Sequence, residues 1–147
     1  MTAKIKIAAR EDIPRVADFL LAMQDEIQEV GLERESLVKN LGDNFGNVTW
    51  FLFLDENDVP FGTKYAEKHN AYWSDKFRYY LGGMYIAPAF RGKGYYRQIM
   101  DQVEEWAKKQ GAGELFAMTA AENERSAKAL QSTGLLGYDY KNHMKRI

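Results

Sequence analysis

A glycine-spaced basic loop is the part of the sequence whose residue types most clearly indicate chemistry. It reads Arg91-Gly92-Lys93-Gly94-Tyr95-Tyr96, and it lies between an apolar strand pattern that ends at Pro88 and an amphipathic helix pattern. Glycines allow backbone N–H groups to approach phosphate oxygens closely, and the N-terminus of a helix adds the positive end of a dipole. The loop therefore predicts a site for a phosphate-bearing ligand of the nucleotide type.

The elements on both sides of this loop must position it. Upstream, the aromatic-rich segment from Phe77 to Ile86 reads as a strand. Downstream, apolar residues recur at helical spacing while charged residues lie away from them, and Gly111 and Gly113 end the pattern. The apolar stripe of this helix consists of Tyr96, Ile99, Val103, Trp106 and Ala107.

The remaining patterns predict a single domain over residues 1–147, with no internal repeat or flexible linker. Helices are expected from Asp12, as a capping residue with Pro14 in the first turn, and over residues 33–41 and 123–133. Strands are expected over residues 4–8, 48–54, 59–67, 77–86 and 114–119, with one or two more between 136 and 147. This order predicts an α/β (α+β) fold with a mixed sheet rather than an alternating doubly wound one.

Composition excludes several classes of function. The 147 residues are 46% hydrophobic and 28% charged, as in soluble globular domains, and the net charge of −1 gives no reason to expect nucleic-acid binding. The chain has no cysteine, which removes disulfides, thiolate metal sites and cysteine nucleophiles, and His69 and His143 have no ligand-type partners nearby in the chain. We therefore expect no metal. The longest apolar runs have five residues and the N-terminus has no apolar signal segment, so no membrane partner and a cytoplasmic location are expected.

Loop, strand and helices together resemble the GNAT superfamily, the Gcn5-related N-acetyltransferases, by element order over nearly the whole chain and most sharply over residues 82–135. The family's acetyl-CoA loop reads Gln/Arg-x-x-Gly-x-Gly/Ala, which matches Arg91 to Tyr96, and the preceding hydrophobic-x-Pro matches Ile86-Ala87-Pro88. The family's later helix commonly begins with Asn, followed by a small residue, a Tyr and a closing Gly-Phe. The corresponding positions are Asn123, Ser126, Leu130, Gly134 and Leu135.

Two of these positions depart from the family pattern. Tyr96 stands where the loop normally ends in Gly or Ala, so its ring is expected to turn into the core while its N–H still points at the phosphate. Leu130 stands where many members have the tyrosine that protonates the departing CoA thiolate, and a leucine side chain cannot donate a proton.

The resemblance implies a GNAT-like fold, in which a central, mostly antiparallel sheet is splayed between strands 4 and 5 and flanked by helices. It implies that acetyl-CoA donates an acetyl group to a primary amine of a small molecule or peptide, which attacks the thioester directly. Homodimers are common in the family, which makes a homodimer one candidate assembly here, although no motif of the sequence indicates one. The residues implied to bind the cofactor are Tyr85, Ile86, Arg91, Gly92, Lys93, Gly94, Tyr95, Tyr96, Asn123 and Ser126.

The sequence leaves the proton-transfer groups open. As thiolate proton donors we consider Tyr138 and Tyr140, and as the general base Glu26, with Glu29, Asp75, Glu114 and Glu122 as the other carboxylates. Two alternatives to an amine acetyltransferase also stay open. One is a non-catalytic or weakly catalytic acyl-CoA sensor, which Leu130 favours; the other is transfer to a hydroxyl group, or of an acyl group longer than acetyl.

Overall fold

The computed structural model describes residues 2–118, 123–135, 137 and 143–147. Its strands form one sheet in the order β1 to β5, and its helices are numbered α1 to α4. The strands are β1 (Lys4–Ile7), β2 (Thr49–Leu54), β3 (Pro60–His69), β4 (Arg78–Ile86) and β5 (Glu114–Phe116). The helices are α1 (Ile13–Ile27), α2 (Arg34–Asp43), α3 (Tyr95–Lys109) and α4 (Glu124–Ser132).

The sheet opens between its last two strands. Strands β1 to β4 pair in antiparallel fashion, whereas β4 and β5 run parallel. That parallel pairing ends at Tyr80 opposite Phe116, although β4 continues to Ile86. Among the described residues, no strand pairs with the second half of β4 on its β5 side, so this backbone edge faces a gap. The expected fold, a mostly antiparallel sheet splayed between strands 4 and 5, is confirmed.

Helices cover both faces of the sheet and form two apolar clusters. On one face, α1 and α2 pack their buried stripes on the central strands, with Val16, Ala17 and Leu20 against Trp50 and Leu52. On the other face, α3 buries Ile99, Met100 and Val103 against the remaining side chains of the same strands, among them Phe51 and Phe53. The alternation along β2 thus divides its side chains between the two clusters.

Most predicted elements lie within a few residues of their observed positions, and two differ. Asp12 precedes α1, but its carboxylate does not cap this helix. It accepts instead from the N–H of Ala9 at 2.8 Å and from Nζ of Lys6 at 2.9 Å, because a short 3-10 turn (Arg10–Asp12) comes first. Of the tail that was predicted to form strands, residues 137 and 143–147 are in no helix or strand, and the rest lies outside the described residues. No described helix is long and apolar enough to cross a membrane.

A glycine pair shapes β4 where the gap begins. The register between β3 and β4 shifts at this point, and Gly83 adopts a φ of +59°, a left-handed conformation that favours glycine. The ring of Tyr65 lies directly across the pair: a Cβ atom built on Gly82 would be 2.5 Å from its Cζ. The absence of side chains on Gly82 and Gly83 thus lets the ring of Tyr65 approach the backbone of β4 closely.

Candidate active site

The predicted phosphate loop forms an open cradle at the start of α3. Gly92 and Gly94 have φ values of +71° and +81°, and a Cβ atom built on either glycine would meet no atom within 4 Å. No side chain caps the helix, and no described residue accepts a hydrogen bond from the N–H groups of residues 92–97. Unsatisfied backbone N–H groups at a helix N-terminus, with open space beside them, can bind phosphate oxygens.

The two tyrosines of the loop anchor it from below. The ring of Tyr95 is buried, with its centroid 5.3 Å from that of Phe61 and 5.5 Å from that of Phe90. Tyr96 also packs against the apolar cluster between α3 and the sheet, and burial raises the pKa of its hydroxyl to about 12. Tyr96 therefore turns inward, as its size required, and its bulk does not occupy the space beside Gly92 and Gly94.

The second half of β4 lies next to this cradle. Ile86 is buried, and its carbonyl oxygen accepts a 2.8 Å hydrogen bond from Nε of Arg91. The ring of Tyr85 packs 5.8 Å from that of Phe19 in α1. Arg91 thus ties the loop back to the end of the strand, and α1 supports the strand from the other side.

Glu26, in the last turn of α1, joins three elements through its carboxylate. Oε1 and Oε2 accept hydrogen bonds from Nη1 and Nη2 of Arg91 at 2.7 and 2.6 Å, and Nη2 of Arg125 at the start of α4 is 3.6 Å from Oε1. The hydrogen bonds from Arg91 hold the pKa of Glu26 below its usual value. An ionised carboxylate held by two guanidinium groups is a weak proton acceptor, so this pairing does not favour Glu26 as the general base, and that role stays a prediction.

The remaining predicted cofactor residues lie at the start of α4. Oδ1 of Asn123 accepts from the N–H of Ser126 at 3.1 Å, so Asn123 caps the helix, as Asn does well. Arg125 links this helix end, through Glu26, to the loop that contains Arg91. The structure thus brings together the β4 end, the loop and the α4 start, whereas Tyr138, Tyr140 and Glu122 lie outside the described residues.

Comparison with known proteins gives this arrangement its family. A model of the family described as "Acetyltransferase (GNAT) family" matches residues 16–135. The chain belongs to the GNAT acetyltransferase family. No curated protein sequence matches the chain.

Solved structures share this GNAT fold across their whole length. A possible acetyltransferase from Clostridium difficile 630 superposes with a TM-score of 0.85 at 14% identity, covering 100% of this chain and 99% of that one. A predicted acetyltransferase with acetyl-CoA, from Clostridium acetobutylicum, has a TM-score of 0.77 at 15% identity, covering 98% and 96%. An aminoglycoside acetyltransferase from an uncultured soil metagenomic sample, in complex with sisomicin, has a TM-score of 0.77 at 18% identity, covering 99% and 95%. At these identities the likeness shows a shared fold.

The other candidate bases of this GNAT domain are dispersed. Glu29 follows α1, Asp75 lies between β3 and β4, and Oε2 of Glu114 at the start of β5 is 3.8 Å from Nη1 of Arg78. The described part of the chain contains no group of three or more His, Cys, Asp or Glu residues that could hold a metal ion. Sequence patterns missed the Glu26–Arg91 pair because its members are 65 positions apart.

Replacing Glu26 with glutamine is expected to tighten acetyl-CoA binding several-fold while kcat stays within about threefold of the wild type. The reason is that the negative charge of Glu26 beside the phosphate loop repels the phosphates of acetyl-CoA by roughly 1 kcal/mol. The substitution removes this charge, whereas Arg91 keeps its hydrogen bond to the carbonyl of Ile86. Calorimetric titration at low and high salt measures this, since salt screens the effect. Glu105→Gln, an exposed position toward the other end of α3, is the charge-matched control. A fall in kcat on the order of 100-fold would instead identify Glu26 as the base.

Proposed function

We propose that this GNAT domain transfers an acetyl group from acetyl-CoA to a primary amine of a small molecule or peptide. One observation carries the proposal: an uncapped helix N-terminus with a glycine cradle lies beside the second half of β4, whose edge on the β5 side pairs with no described strand. A phosphate-bearing ligand with an extended amide arm fits these two features together. The family match over residues 16–135 supports the same reaction class.

The chain's own groups fit the parts of the donor in order. The N–H groups of residues 92–96 hold the pyrophosphate, and the exposed Lys93 adds positive charge. The backbone of Tyr85 and Ile86 pairs with the pantetheine arm as a strand would, and a β4 N–H group polarises the thioester carbonyl. Asn123 and Ser126 contact acetyl-CoA from the other side of the cleft. When bound, acetyl-CoA supplies an acetyl group as an activated thioester.

Positioning supplies much of the rate in this scheme. Holding the amine and the thioester in line lowers the barrier by up to roughly 7–11 kcal/mol for well-oriented reactants. The neutral amine would attack the thioester carbonyl, so that the C–N bond forms and the C–S bond breaks. The nitrogen would lose one proton to a base or to water, and CoA would leave as the thiolate or, once protonated, as the thiol. No acyl-enzyme on cysteine is involved, because the chain has no cysteine.

The departing thiolate needs a proton source other than position 130, which is leucine. We propose Tyr138 or Tyr140 as that donor. Tyr138→Phe or Tyr140→Phe is then expected to lower kcat on the order of 100-fold, with the affinity for acetyl-CoA unchanged. Steady-state turnover measured with a thiol reagent tests this prediction, and wild-type kcat in both variants would remove both residues from the mechanism.

Amine-dependent release of CoA tests the proposed function. Purified protein is mixed with acetyl-CoA and a panel of amines, and free thiol is followed over time, with alcohols and propionyl-CoA included as alternative acceptors and donor. Steady release with at least one amine, and the acetylated amine in the mass spectrum, supports the proposal. Tight binding of acetyl-CoA without release on the whole panel would favour the acyl-CoA sensor that Leu130 suggests.

A further inference from the structure

We propose that Glu26 ties the end of α1 across the donor cleft, and that a phosphate group of acetyl-CoA replaces its carboxylate on Arg91 and so releases this helix end. We call this set of charged side chains the strap; it consists of Glu26 in α1, Arg91 in the loop and Arg125 at the start of α4. The inference rests on the proposed function, because it requires acetyl-CoA at the loop, and it adds a conformational step to donor binding.

The strap connects the elements between which the donor is proposed to lie. Nε of Arg91 donates to the carbonyl oxygen of Ile86 at 2.8 Å, which holds this side chain at the end of β4. Its Nη1 and Nη2 donate to Glu26 at 2.7 and 2.6 Å, and Nη2 of Arg125 is 3.6 Å from Oε1 of the same carboxylate. A chain of charges therefore runs from α1, past the end of β4, to α4. A pantetheine arm between β4 and α4 meets these side chains.

A phosphate group can take the place of the Glu26 carboxylate. A guanidinium group binds carboxylate and phosphate oxygens alike, through two parallel N–H groups. Arg91 directly precedes Gly92, where the cradle begins, and the side chains of Arg91 and Glu26 are 25% and 39% exposed, so a phosphate at the cradle can reach the pair. The phosphate also gains the N–H groups of the loop, which Glu26 does not contact. Donor binding therefore favours the state in which Arg91 has left Glu26.

The end of α1 has few other contacts that would hold it. The helix has 15 residues, and its buried residues all lie in its N-terminal half: Ile13, Val16, Ala17 and Leu20. The last turn contains Asp25 and Glu26 and no basic residue, which is unfavourable at the negative end of the helix dipole. After the helix, the side chain of Val30 is fully exposed and provides no anchor. Because Arg91 and Arg125 offset the negative charge, their loss should fray the last turn.

Hydrogen–deuterium exchange with and without acetyl-CoA tests the strap. We expect the backbone N–H groups of residues 25–33 to exchange about fivefold faster when acetyl-CoA is bound, whereas a ligand that only rigidified the protein would slow them. Residues 92–97 should be protected in the same samples, which verifies that the donor is bound at the loop. Mass spectrometry of peptic fragments measures both segments at once.

Two substitutions separate the tether from the charge. Glu26→Asp keeps the negative charge but shortens the side chain by one methylene group, whereas Glu26→Gln removes the charge. In both variants residues 25–33 should exchange about fivefold faster than in the wild type without any donor, and acetyl-CoA should change that rate little. Glu26→Gln should bind acetyl-CoA more tightly than Glu26→Asp. The exposed Glu105→Gln is the control and should behave as the wild type.

The outcomes separate this inference from the proposed function. If residues 92–97 are protected but residues 25–33 exchange at the same rate or more slowly, the strap is wrong and the donor site stands. If acetyl-CoA protects neither segment and does not bind, both proposals fail. Equal exchange of residues 25–33 in the donor-free wild type and both Glu26 variants would also overturn the inference. Faster exchange in the wild type with the donor, and in both variants without it, supports the inference.

Discussion

Gly94→Glu is expected to weaken acetyl-CoA binding at least about 100-fold, which corresponds to about 2.7 kcal/mol, in a protein that stays folded. Gly94 is the N-cap of α3, and a side chain there would enter the open space beside the unsatisfied N–H groups of the loop. A carboxylate in that space takes the place of a phosphate and repels the others. Its φ of +81° adds a strain of roughly 1–2 kcal/mol, which a domain of this size tolerates.

Gly46→Glu is the matched control for this variant. Gly46 lies in a short 3-10 turn (Phe45–Asn47), also has no atom within 4 Å of a built Cβ, and receives the same change in charge. Titration calorimetry of both variants, with circular dichroism to verify folding, makes the comparison. Wild-type affinity in a folded Gly94→Glu protein would show that the phosphate does not bind at this loop.

Lys64→Met is expected to stabilise the protein by about 1–3 kcal/mol at pH 7. Lys64 is only 1% exposed and lies opposite Phe51, on the face of the sheet that α3 covers. Burial lowers the pKa of its ammonium group to about 8. At pH 7 the group is still charged in the folded protein, and the cost of keeping that charge away from water is carried by the native state.

The stability difference between Lys64→Met and the wild type should depend on pH. Between about pH 8 and 10.5 the unfolded chain binds more protons at Lys64 than the native protein does, so the stability of the wild type rises with pH in that window. The advantage of Lys64→Met should therefore shrink from pH 7 to pH 10.5. Urea denaturation at several pH values measures it, with the exposed Lys109→Met as control. A destabilised variant, or an advantage that does not change with pH, would contradict the desolvation argument.

Local patterns predicted the position of the loop between a strand and a helix, because every contribution to its conformation is local. The two glycines, the start of α3 and the preceding β4 lie within about twenty consecutive residues, and their conformations follow from backbone freedom and helical periodicity alone. The inward orientation of the Tyr96 ring could also be predicted, because so large a ring fits only in the core.

Long-range contacts explain what the sequence did not reveal. Glu26 is one of several candidate general bases in the sequence, and no local pattern indicates its ion pair with Arg91. The two residues are 65 positions apart, and the packing of α1 against β4 brings them together. The registers of β3, β4 and β5 place the rings of His69 and Phe116 side by side, with their centroids 5.4 Å apart. Neither arrangement has a periodic signal, so neither could be read from spacing.

Titration calorimetry of the wild-type protein with acetyl-CoA, with CoA and ATP as comparison ligands, is the most direct test of the central claim. We expect micromolar binding of acetyl-CoA at one site per chain, competition by CoA and no binding of ATP, because the cradle must act together with the open edge of β4. Absence of acetyl-CoA binding, or equal binding of ATP, would contradict it.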